Sequence, residues 1–157
     1  MTDERLGDRL WHALAALPRG AGVVFRHHGL APKQRAALFE QVRQHAVRRG
    51  LVLISSGARL PGADGVHNRR GAGLRTASAH NLREIRRAER RGADLLFLSP
   101  VHPTRSHPGG KALGPRRFAM LARRTRLPVI ALGGMDAERF RLLRGAYGWA
   151  GIDAFSA

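Results

Sequence analysis

Four groups of residues in this sequence could do chemistry. Gly133-Gly134 follows the apolar run Pro128-Val-Ile-Ala-Leu132 and precedes Asp136, a residue type that caps helices. Backbone N–H groups near a helix start, with no side chain in the way, bind phosphate well. A tight turn between strand and helix uses the same pair, and spacing alone leaves both open. His80 stands just before Asn81, where a helix should begin. There the positive end of the macrodipole would depress an imidazole pKa and favour the neutral base; a structural or capping histidine is the alternative. Arg26-His27-His28 lies at the carboxyl end of Val23-Val-Phe25, and the loop Pro100–Lys111 carries Thr104, Ser106, His107 and Lys111.

The elements that must position these groups alternate. Asp8–Leu17 reads as a helix with Leu10, Leu14 and Leu17 on one face, and Pro18-Arg-Gly20 ends it. Val23–Phe25 is a strand. Pro32 starts a helix through Arg49, with Leu38, Val42 and Ala46 inward and Gly50 as its stop. Leu51–Ile54, Gly65–His67 and Leu74–Ala77 are further strands, with the glycine-rich loop Asn68–Gly73 between the last two. Asn81 caps a helix with Leu82, Ile85 and Ala88 buried, and Glu84 completes a capping box. Asp94–Ser99 is a strand, Gly114-Pro115 opens a helix with Phe118, Leu121 and Thr125 on one face, and Pro128–Leu132 is a strand. Asp136 caps a helix carrying Phe140 and Leu143, and Gly151–Phe155 is the last strand. This alternation predicts an α/β chain with seven parallel strands. In an α/β barrel the loops after the strands share one ligand-binding face.

At 157 residues the chain is long enough for one domain, residues 1–157, burying about 70% of its unfolded surface. No apolar run approaches the ~20 residues of a membrane span, and Met1-Thr-Asp-Glu-Arg5 is no signal peptide, so the cytoplasm is the expected compartment. With no Cys, disulfides and thiolate metal sites are excluded. The net charge of +17 raises nucleic acid as a partner. However, the arginines are spread over several helices (Arg43, Arg48, Arg87, Arg91, Arg117, Arg124 among them) without interleaved aromatics, so nucleic-acid binding is not expected.

Gly62-Ala-Asp-Gly-Val-His67, Ser78-Ala-His80, Gly92-Ala-Asp94, Ser99-Pro-Val-His-Pro-Thr104 and Pro128–Gly134 together resemble the thiamine phosphate synthase and TenI-type thiazole tautomerase family. The resemblance implies a TIM-type (β/α)8 barrel, here incomplete, with the first strand and the last helix missing. Met1-Thr2-Asp3 starts where that family's first strand ends. Helix Asp8–Leu17 would partly cover one open edge of the sheet and a homodimer could cover the other. The resemblance further implies a phosphate pocket made of Gly133, Gly134, Thr104, Ser106 and Ser156, beside Ser78, and a phosphorylated thiazole or thiamine-like ligand. His80 matches the histidine that moves protons in the tautomerases. Arg26 and His28 match an Arg and a Lys that grip substrate; Arg26 keeps a fork for phosphate oxygens. His107 falls where the family has a Lys on pyrophosphate, and a solvated loop is the alternative reading for His28 and His107.

The family's synthases hold Mg²⁺ on two Asp. Those positions are Ser56 and Ala72 here, so no metal ligand is assigned and Mg²⁺ is doubtful. Asp64 and Asp94 lie at strand beginnings, on the far face of a barrel. Four functions follow. The first is coupling of thiazole phosphate to hydroxymethylpyrimidine pyrophosphate, with the Mg²⁺ carboxylates lost. The others are metal-free thiazole tautomerisation by His80, non-catalytic binding of a thiamine precursor or regulation, and nucleic-acid binding through the basic surface.

Overall fold

Thr2 donates its amide to the Val24 carbonyl at 2.9 Å, so the chain begins by lying along its first strand. In this computed structural model, residues 1–104 and 111–155 are described. They group into two units, Met1–Leu74 with the residues from Ile152, and Arg75–Gly151.

The first unit contains helix α1 (Arg9–Ala15), strand β1 (Gly22–Phe25), helix α2 (Pro32–Arg49) and strands β2 (Val52–Ser56) and β3 (Gly65–His67). The three strands are parallel and adjacent in chain order. Pro32 occupies the first turn of α2, and Gly50 closes it in the left-handed region at φ 63°. Arg49 reinforces the end of α1 by donating to the carbonyls of Ala15 and Leu17. The inward stripe of α2 is Arg35, Phe39, Val42 and Ala46. Leu38, expected inward, is only half-buried, because Phe39 takes that place edge-on to Phe25 at 5.3 Å between ring centres.

No helix separates β3 from the strand after it. Parallel neighbours usually need a crossover of a dozen or more residues. Here residues 68–73 bring the chain back beside the start of β3, where Leu74 N–H donates to Asp64 O at 3.0 Å. A Cβ on Gly65 would lie 2.0 Å from Leu74 O, and one on Gly73 (φ +77°) 2.0 Å from Asp64 O. This tight return, and not a ligand, accounts for those two glycines.

The second unit contains β4 (Leu74–Ala79), α3 (Leu82–Arg90), β5 (Leu95–Leu98), α4 (Gly114–Ala122), β6 (Val129–Leu132), α5 (Ala137–Leu142) and β7 (Gly148–Ala150). These strands are also parallel and in chain order. Asn81 and Asp136 cap their helices as expected, accepting from Glu84 and Arg139 amides. Leu82 is 38% exposed, leaving Ile85 and Ala88 as the buried stripe of α3. Thr125 lies beyond α4 and bonds Glu89 instead of packing. The last strand is Gly148–Ala150, three residues before the expected Gly151–Phe155, whose Asp153–Phe155 form a 3-10 turn. Tyr147 N–H bonds Val129 O, fixing Gly148 opposite Ile130, so pairing with β6 overrides the apolar pattern downstream. Each unit has its own apolar core, one around Phe25, Val42 and Leu53, the other around Ile85, Leu98 and Phe118.

Candidate functional site

In the first unit, register places Phe25 beside Ser55 and Ser56 beside His67, so Arg26, Ser56 and His67 all stand at the carboxyl ends of β1–β3. Five contacts fix this row. Thr2 Oγ1 accepts from the Arg26 amide at 3.0 Å and lies 3.0 Å from His27 Nδ1. His28 Nε2 is 3.2 Å from Ser56 Oγ. Arg35 reaches from α2 under Phe25 and donates to Arg26 O at 3.1 Å and Ser56 O at 2.6 Å. His67 is buried, and burial together with Arg26, the Met1 amino group and His28 pushes its pKa down to about 4. Burial also lowers the His27 pKa. Ser55 turns inward, bonding Ala58 O and the Leu60 amide, and so serves its own loop.

In the second unit, His80 Nδ1 lies 2.7 Å from Ser99 O at the end of β5. A carbonyl can only accept, so Nδ1 carries the proton, and the tautomer this selects leaves Nε2 as the lone-pair nitrogen. Its ring is exposed, and its amide donates to Glu84 Oε2 at 2.8 Å, anchoring it to the first turn of α3. Gly133 and Gly134 follow β6 with φ of +93° and +58°. A Cβ on Gly133 would lie 2.7 Å from Pro100 Cβ, and one on Gly134 2.8 Å from Pro103 O and 2.9 Å from His102 Cβ. The pair therefore packs directly on the loop after β5, where His102 N–H bonds Gly133 O at 3.1 Å. Among the described residues the Gly133 and Gly134 amides have no hydrogen-bond partner. Arg139 donates to Gly134 O, and burial followed by the Arg139 charge lowers the His102 pKa. Ser78 on β4 and Thr104 in the loop are half-buried in the same unit. Ser106, His107 and Ser156 lie outside the described residues.

The sequence profile of the thiamine monophosphate synthase family matches residues 2–155. The chain belongs to that family. A thiamine-phosphate synthase-like protein of Aquifex aeolicus is 40% identical over 80 residues, 50% of this chain and 43% of its own length. A thiamine-phosphate synthase of Methanococcus vannielii is 36% identical over 80 residues, 50% of this chain and 39% of its own length. The matched stretch thus spans about two fifths of these relatives. The fold is that of a thiamine phosphate pyrophosphorylase from Pyrococcus furiosus, which superposes with a TM-score of 0.78 at 23% identity, covering 99% of this chain and 85% of that one.

The residues present do not fit the Mg²⁺ that the thiamine monophosphate synthase resemblance implies. Ser56 faces an imidazole, and its carbonyl is taken by Arg35. Ala72 lies between Gly71, packed on the Val66 side chain, and Gly73, against Asp64 O, toward the opposite end of β3. Asp64 accepts the Leu53 amide at 2.7 Å and Asp94 is paired with Arg75, both at strand beginnings. Among the described residues no three His, Asp or Glu are grouped to hold a metal. Sequence reasoning missed Arg35, Thr2, His67, Ser99 and Arg139 as parts of these clusters. His67, Ser99 and Thr2 fall in stretches the resemblance already marked, and Arg139 left a signal of its own: a cation in a helix's first turn opposes the macrodipole preference.

Proposed function

We propose that the chain acts in thiamine biosynthesis by holding a phosphorylated thiazole and transferring a proton on it through His80, without metal, on a single barrel-type domain. The fixed tautomer of His80 carries this reading. Nε2 takes a proton from one ring carbon and the imidazolium returns one at another position as the ring double bond shifts, so no proton is gained or lost and no co-reactant is needed. The free amides of Gly133 and Gly134, with Arg139 beside them, support a phosphate grip in the same unit. Ser78 and Thr104 are proposed to line it, as are Ser106, His107 and Ser156.

Family membership favours a second reading, coupling of thiazole phosphate to hydroxymethylpyrimidine pyrophosphate. The site residues argue against its metal-dependent form. Purified protein is supplied with the thiazole carboxylate phosphate tautomer, and separately with both synthase substrates with and without Mg²⁺. Turnover of the tautomer that drops by about 10²–10⁴ in His80→Gln is expected. Metal-dependent pyrophosphate release would instead establish coupling. Binding without turnover of either would reduce the chain to a precursor-binding protein.

A further inference from the structure

We propose that the outer groove between α3 and α4 docks on the phosphate backbone of double-stranded nucleic acid, without reading its sequence. Along the sequence the arginines are spread over separate helices, but the fold sets two of those helices side by side. The surface lies apart from the proton-transfer chemistry of His80 and does not depend on it.

Thr125 Oγ1 donates to Glu89 Oε1 at 2.7 Å, and Ile85, Ala88, Phe118 and Leu121 share one apolar core, so α3 and α4 are neighbours. Glu89 marks the side of α3 turned to α4. At helical spacing Arg86, Arg90 and Arg83 follow round from it toward solvent, and all three are exposed. Hydrogen bonds from Arg86 and Thr125, then the charges of Arg86 and Arg90, hold the Glu89 pKa down. On α4, Ala119 and Ala122 lie against the turn at Gly145, where an added Cβ would meet Ala122 Cβ at 3.4 Å. Arg117 and Arg124 stand on the other flank of α4, the one nearer α3, and both are exposed. The Arg124 amide still bonds Leu121 O at 2.9 Å, so the helical course carries past Ala122.

Arginines thus line both walls of this groove with little to neutralise them. The guanidinium groups of Arg83, Arg117 and Arg124 make no hydrogen bond or ion pair among the described residues. Both carboxylates of α3 are engaged, Glu89 by Arg86 and Thr125, Glu84 by the His80 amide and Asn81, and α4 has none. Seven helical residues put Arg83 and Arg90, like Arg117 and Arg124, about 10 Å apart, and packed helix axes lie ~8–10 Å apart. A duplex carries one negative charge per ~1.7 Å of its axis, so a patch of this size meets a phosphate for each guanidinium. The arginine fork suits phosphate oxygens. The aromatic residue on these helices, Phe118, is buried, so the bases of a single strand have nothing to stack on, whereas a duplex backbone needs no stacking. Leu82 and Met120, the large apolar side chains exposed on α3 and α4, make no stripe that could enter a bilayer.

The test is fluorescence anisotropy of the full chain with a labelled DNA duplex, from about 50 to 200 mM salt. About four to five engaged phosphates give a slope of log K against log salt near about −4, a loss of roughly 10²–10³ across that range. A second duplex of unrelated sequence should bind equally. Arg117→Gln combined with Arg124→Gln should flatten the slope by about 2 and weaken binding at low salt about tenfold or more. Lys33→Gln combined with Arg48→Gln removes the same charge from exposed positions of α2 and should leave the slope unchanged. Thermal melting checks that both double variants are folded. The proposal is overturned if no duplex binds at low salt, if the two duplexes differ, if single-stranded DNA binds more tightly, or if both double variants behave alike. It is equally overturned if phosphatidylglycerol vesicles or polyglutamate bind as tightly as the duplex, since the groove would then be a lipid or acidic-protein surface.

Discussion

His67 should make this protein acid-sensitive above the range where most carboxylates titrate. The side chain is 4% exposed and its pKa is held near 4 by burial, Arg26, the Met1 amino group and His28. In the unfolded chain it titrates near ~6.5. The unfolded state therefore binds the proton more tightly, so stability is complete above ~6.5 and is lost as pH falls toward 4. A depression from 6.5 to about 4 corresponds to about 3 kcal/mol in full, of which about 2 kcal/mol is gone by pH ~5. Urea unfolding of wild type and His67→Gln near pH ~7.5 and pH ~5 isolates this contribution. His27, His45, His102 and the Met1 amino group, also lowered chiefly by burial, titrate in both proteins and cancel. Wild type should lose about 2 kcal/mol more than the variant between the two conditions. Equal losses would refute the claim that His67 is buried in its neutral form among cations, whatever the variant's absolute stability.

Three further outcomes follow from the same geometry. Asn81→Ala removes the α3 cap and should cost about 1 kcal/mol by chemical denaturation, with Asn81→Asp near wild type. Gly73→Ala places a Cβ 2.0 Å from a backbone oxygen at positive φ, so a loss of at least ~2 kcal/mol is expected; a neutral result would mean that the β3–β4 return is not as tight as described. Arg35→Met strands the carbonyls of Arg26 and Ser56, at about 1–3 kcal/mol each, and should lower the thermal midpoint more than Arg43→Met, whose partner is the exposed end of Glu40.

Local signals were readable where the responsible residues are neighbours in sequence. Asn81 and Asp136 cap helices because a short side-chain oxygen reaches an amide three residues on. Gly50 ends α2 because it accepts a left-handed φ at little cost. The loop pairing of Gly133-Gly134 with Pro100–Pro103 needed more, since those segments are thirty residues apart and meet only through adjacent strands. Arg35 could not be read as buried, because an arginine on a helix is ordinarily solvated and only the carbonyls of two strand ends explain its inward turn. The final strand was misplaced by three residues for a related reason: Gly151–Phe155 has an apolar pattern, but ladder pairing with β6 selected Gly148–Ala150.

By itself the sequence determined an alternating α/β order, most helix boundaries, and the residue types standing after each strand. These depend on periodicity, caps and glycines, which act over a few residues. Tertiary structure alone decided that His80 is oriented by Ser99, that Gly65 and Gly73 serve a close crossing, and that Arg26, Ser56 and a neutral, buried His67 share the carboxyl ends of β1–β3. Register between parallel strands sets which side chains share an end, and register is fixed by hydrogen bonds between segments far apart in the chain.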